Sequence, residues 1–215
     1  MNFPLSEKIN VGTHLYGFIH CLTYFTKQNS KQFFFQLFLY SQICVYGSSV
    51  LSHLFYKVDE RLYDFIWACQ YIAIAWSFTT ASTLYILCLY RGNFIFIVTY
   101  TTCYYLLFVG SIPFFIDRSA EQQTKTLNRY RSTFIFVSQM LTIIPIIFAS
   151  FFSINNPSSS IYLSYFLIIC SILVYVHKFP ENYYKNAPIT GHNIMHVLVM
   201  ISSYLCLSSS FNLIQ

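Results

Sequence analysis

Near the end of this 215-residue chain stands Gly191-His192-Asn193-Ile194-Met195-His196, followed directly by Val197-Leu198-Val199-Met200. Two histidines four apart on a helix share one face, about 6 Å apart along the axis. They open an apolar run that reaches Ile214, long enough to cross a bilayer at roughly 20 residues per crossing. Strongly polar side chains inside such a span are costly and point to function. A divalent metal is the simplest reason to keep two imidazoles there, because an i, i+4 pair supplies two ligands. The plainer reading is a pair of helix-packing histidines that hydrogen-bond across helices.

The elements that would carry these residues follow from composition. Hydrophobic residues make up 56% of the chain and charged residues only 9%, with a mean hydropathy of +0.53. Soluble proteins carry about 25% charged residues, so the chain reads as an all-α, polytopic membrane protein forming one domain over residues 1–215. The net charge of +5 sits in loops, which points to membrane orientation and away from nucleic acid. Seven cysteines are scattered singly with no Cys-x-x-Cys, which excludes a disulfide framework and a cysteine-ligated zinc site. Polar and charged residues interrupt the start, so no cleavable signal peptide is expected.

Seven spans are expected: Val11–Phe25, Phe33–Tyr56, Phe65–Tyr90, Phe94–Ile116, Thr133–Ile154, Ser160–His177 and Gly191–Ile214. Arg91-Gly92-Asn93 and Asn155-Asn156-Pro157 punctuate them, and Lys57 to Arg61 reads as a solvated loop. Pro145 in the fifth should free the carbonyl of Leu141 and kink the helix. Thr142 or a neighbouring helix can satisfy that carbonyl. With the N-terminus cytoplasmic, the inner side holds Lys8, Lys57, Arg61, Arg118, Lys125, Arg129, Arg131, Lys178 and Lys185, against Lys27, Lys31 and Arg91 outside. The excess of positive charge inside predicts a cytoplasmic N-terminus and an extracytoplasmic C-terminus.

That topology brings histidines together. His53 lies at the cytoplasmic end of the second span, and His192 and His196 lie in the first turns of the seventh. His14, early in the first span, is near the same face. Three imidazoles at one depth on two helices make a His₃ set, which leaves a zinc position open for water. Glu7, Asn10 and His14 read either as a polar cap on this mouth or as residues that order the N-terminus. His20 and His177 lack partners at motif spacing and read as packing or interfacial residues.

Three ordered blocks carry a resemblance to a known family. The first is Glu7-x-x-Asn10-x-x-Thr13-His14-x-x-Gly17. The second is Ser49-x-x-x-His53, followed by Gln70-Tyr71. The third is Phe179-Pro180-Glu181, followed by Gly191-His192-x-x-x-His196-Val197. In spacing and topology the chain resembles the seven-helix progestin and adiponectin receptor family, which includes hemolysin III-like proteins. The resemblance implies zinc held by His53, His192 and His196, with Ser49 one turn from His53. It also implies ceramide-type amide hydrolysis, in which a family Asp bonds the zinc-bound water. The Pro-Glu element reads as shaping the turn into the last helix.

Gln70 stands where the family usually has that Asp. A carboxamide donates or accepts a hydrogen bond but takes no proton at neutral pH, and general-base assistance is typically worth about 10²–10⁴ in rate. Asp64, six residues earlier, points about 120° away on the same helix and lies roughly 9 Å nearer the cytosol. The expectation is therefore a multi-pass integral membrane protein with a zinc site near the cytoplasmic face. Its role is receptor-like or regulatory in lipid signalling, with weak hydrolase activity at most, acting through Ser49 and Gln70 at the centre. The runner-up is a competent zinc-dependent lipid amidase that takes sphingolipid substrates such as ceramide from the bilayer. The third is a hemolysin III-like pore, although the outer halves of the helices show little charge.

Overall fold

The computed structural model describes residues 4–27, 33–55, 60–90, 92–116, 133, 137, 141, 143–149, 151, 158–184 and 187–214. Every regular element among them is a helix. These are α1 (Leu5–Lys27), α2 (Phe33–Leu54), α3 (Glu60–Leu89), α4 (Phe94–Ile116), α5 (143–149), α6 (Ser159–Val176) and α7 (Gly191–Ile214). The loops expected at 117–132 and 155–157, most of the Lys57–Arg61 loop and much of the fifth span lie outside the described residues. All seven cysteines are free.

Among the described residues, four helical stretches are long and apolar enough to cross a bilayer: Phe33–Leu54, Leu62–Leu89, Phe94–Pro113 and Ser159–Val176. The largest departures from the sequence expectation are two helix starts, the other boundaries, the fifth span aside, falling within two residues. α1 starts at Leu5 and not near Val11, so it has 23 residues. Its polar first turns have partners inside the protein, which an apolar run does not reveal. α3 starts at Glu60, five residues before Phe65, because apolarity marks only the part of a helix that lipid or core covers.

α3 is the spine of the bundle. Of its apolar window 72% is buried, against 11% in α4 and 17% in α6, so α4 and α6 turn most of their apolar surface outward. One cluster joins Cys21 of α1, Phe35, Phe38, Leu39 and Tyr46 of α2, Leu84 and Cys88 of α3, and Leu207 of α7. A second joins Tyr85, Ile86 and Leu89 of α3 to Ile146 and Ala149 of α5 and Ile161 of α6. α1 lies between α2 and α7, and α6 packs along α7.

The interior also carries hydroxyls, and a membrane interior demands that they be satisfied internally. Thr79, Ser82 and Thr83 of α3 donate to carbonyls one turn back. Ser41 of α2 meets Thr80 of α3 at 2.9 Å, and Ser164 of α6 meets Ser202 of α7 at 2.8 Å. These cross-helix bonds staple neighbouring helices where lipid provides no hydrophobic drive. The carbonyl of Leu141, expected to be released by Pro145, accepts the Tyr100 hydroxyl of α4 at 2.6 Å. Thr142, the local alternative, lies outside the described residues.

Candidate metal centre

The start of α7 is fixed by local chemistry. Thr190 and Asn193 form a reciprocal cap: the Asn193 Oδ1 accepts the Thr190 N–H at 2.9 Å, and the Asn193 N–H donates to Thr190 Oγ1 at 3.3 Å. Glu181 Oε2 accepts the Gly191 N–H at 2.7 Å, a carboxylate placed where the helix N-terminus is positive. Gly191 has no room for a side chain, since a Cβ would lie 2.6 Å from the Phe179 carbonyl oxygen and 2.9 Å from that of Val174. Glu181 thus shapes the turn into α7, and His192 and His196 follow in its first turns.

α1 contributes through one stripe. Glu7, Asn10, His14 and Gly17 recur at spacings of three and four, which puts them on a single helix face. Asn10 Oδ1 accepts from Asn193 Nδ2 at 2.6 Å, and Asn193 Nδ2 also donates to the Ser6 carbonyl at 2.9 Å. Glu7 Oε2 lies 2.7 Å from His53 Nδ1 of α2. At Gly17 a Cβ would stand 2.6 Å from the Tyr46 ring, so only glycine lets α1 approach α2 this closely.

The stripe delivers His14 into a nest of imidazoles. Its ring centre is 4.1 Å from that of His196 and 5.5 Å from that of His53. His53 is 5.3 Å from His196 and 5.6 Å from His192, and His192 is 4.4 Å from His196. His14, His53 and His196 are buried at 4%, 5% and 6% exposure, and their ligand atoms all lie within 4.8 Å of one another. Buried ring nitrogens ordinarily have hydrogen-bond partners. Here Nε2 of His53, His192 and His196, and both ring nitrogens of His14, have none among the described residues.

A metal fits this set. Imidazoles around one tetrahedral zinc have ring centres about 5 Å apart, close to most of the spacings found. Each neutral imidazole keeps one ring nitrogen with a lone pair, and a cation satisfies several such buried lone pairs at once. The Glu7 carboxylate accepting from His53 Nδ1 fixes the tautomer and leaves the Nε2 lone pair free to ligate, the usual arrangement behind a ligating histidine. A buried triad of histidines here can therefore hold a metal ion.

One turn from His53, the buried Ser49 hydroxyl accepts Gln70 Nε2 at 2.7 Å. Gln70 Oε1 is buried without a partner among the described residues. Asp64, nearer the start of the same helix, is exposed. The family model of haemolysin-III related proteins matches residues 4–207. The chain belongs to the haemolysin-III related family. The match covers all three motif blocks, from Glu7 to His196. No curated protein shows a significant match. Family membership and four helices suited to crossing a bilayer make it a membrane protein.

Within this family member the residues singled out from sequence separate clearly. His53 and His196 stand in the tight triad, while His192 stands beside it at ring-contact distance. Ser49 and Gln70 pair with each other one turn along. His14 takes the third place in the triad, a weight that the sequence alone does not give it. The readable signal was the stripe from Glu7 to Gly17, which announces a shared face without saying what that face meets. His20 packs among Tyr16, Tyr24 and Tyr204, and His177 is exposed at the end of α6.

Proposed function

We propose that this haemolysin-III related protein is a seven-span membrane protein with a cytoplasmic N-terminus, whose buried histidine cluster holds zinc. Its role is receptor-like or regulatory in lipid signalling, and it is not a competent amide hydrolase. The observation that carries this reading is Gln70, whose carboxamide nitrogen donates to Ser49 Oγ at 2.7 Å in the place where the resembling family has an acid. His53 and His196, with His192 and His14 around them, would hold the ion. Bound zinc would supply Lewis acidity toward a carbonyl or a water.

The chain's own residues do the rest. Glu7 orients His53, and the Asn10–Asn193 bond docks α1 on α7 beside the cluster. Ser49 and Gln70 offer polar contacts to a headgroup but no group that takes up a proton at neutral pH. Lipid amide hydrolysis remains the second reading, favoured by one observation: the Glu7 carboxylate lies within 2.7 Å of His53. Its oxygen is already engaged by that ring, which weighs against a free general base.

The test is turnover. Zinc-loaded, detergent-purified protein incubated with ceramide should release no more fatty acid than the His196→Ala variant does. Release well above that background would make the hydrolase reading the correct one.

A further inference from the structure

We propose that His14 is a fourth metal ligand, closing the site with an imidazole where a hydrolytic zinc centre keeps a position open for water. The inference rests on the metal-centre reading above and goes beyond it, because a three-histidine set drawn from α2 and α7 leaves His14 without a task.

Two independent contacts set the position of His14. Asn10, one turn before it on α1, is bonded to Asn193, one turn before His196 on α7. This bond puts α1 and α7 in a register that brings His14 against His196, with ring centres 4.1 Å apart. Three residues after His14, Gly17 admits the Tyr46 ring and so holds α1 tight against α2. There the His14 and His53 rings lie 5.5 Å apart and 14° from parallel. His14 is thereby held from both sides at the depth of the cluster.

The burial of His14 points beyond a packing role. A histidine that only packs helices satisfies at least one ring nitrogen, because an unpaired buried polar atom costs free energy. Both nitrogens of His14 are buried without a hydrogen-bond partner among the described residues, and its ligand atom lies within 4.8 Å of those of His53 and His196. A metal ion satisfies one of them at once. Four protein ligands around zinc form a closed, structural site, whereas catalytic sites use three and a water. An imidazole in the fourth place accords with Gln70, since a site without an exchangeable water has no use for an acid to orient one.

X-ray absorption of the zinc-loaded full-length chain in detergent tests this directly, with visible spectra of the cobalt(II)-loaded protein under azide titration. The wild type should fit about four imidazoles, and its cobalt spectrum should not respond to azide. His14→Ala should retain metal, fit about three imidazoles and shift its spectrum when azide is added. A wild type with about three imidazoles and an azide-sensitive spectrum would overturn the role of His14 while leaving the metal centre standing. A wild type that binds no metal would instead sink the metal-centre reading itself. Should His14→Ala not be recovered folded, His14→Gln serves in its place, and the wild-type ligand count decides in either case.

Discussion

Glu7 Oε2 of α1 sits 2.7 Å from His53 Nδ1 of α2, although 46 residues separate the two in sequence. The contact ties the first helix to the histidine cluster and leaves His53 Nε2 free to face the other rings. Carboxylates placed this way raise the basicity of a ligating histidine, and their loss typically lowers metal affinity by about 10–100-fold. Glu7→Gln should therefore weaken zinc binding to that extent in a chelator competition while leaving the helical content unchanged. Equal affinity in wild type and variant would show that Glu7 only anchors the helix.

Gly191 sets the first turn of α7. In Gly191→Ala the new methyl would lie 2.6 Å and 2.9 Å from two backbone carbonyl oxygens, neither of which can swing aside. Overpacking of this kind costs about 1–3 kcal/mol. The variant should melt at a lower temperature in detergent and bind zinc more weakly, because His192 and His196 move with that turn. An unchanged melting temperature would mean the turn at Phe179–Glu181 yields easily.

Much of this arrangement was legible in the sequence. The apolar runs marked α2, α3, α4 and α6, and the His192-x-x-x-His196 pair marked the face of α7 that bears the cluster. Helix periodicity reports which residues share a face, but not which helix that face meets. The Glu7–His53 pair, the Asn10–Asn193 bond and the seat of His14 between α2 and α7 therefore appear only in three dimensions. The same holds for the Leu141 carbonyl, whose release follows from Pro145 but whose partner, Tyr100, lies 41 residues away. α1 extends beyond its apolar run for a related reason: its first turns are polar because they have partners inside the protein.

The Gln70 and His14 positions should be coupled. Gln70→Asp places a carboxylate beside Ser49, yet with His14 in the fourth ligand position it should leave ceramide turnover at the wild-type level. The double variant His14→Ala/Gln70→Asp opens that position and supplies the base. Its turnover should rise by about a hundredfold to a thousandfold, within the range of general-base assistance. A rise in Gln70→Asp alone would show that the fourth position is already open.

Orientation follows from the nine basic residues expected inside against three outside. Reporters fused to the two ends should report opposite sides of the membrane, the N-terminal one cytoplasmic. Both ends on one side would contradict an odd number of spans.

The central claim is that the buried imidazoles exist to bind a metal, and metal content measures it most directly. His53 and His196 belong both to the triad found in the structure and to the set implied by family resemblance. Elemental analysis of the detergent-purified wild type should find about one zinc per chain, and a His53→Ala/His196→Ala variant should fall to the level of a metal-free control. A wild type without stoichiometric metal, or a double variant as zinc-rich as the wild type, would contradict the account.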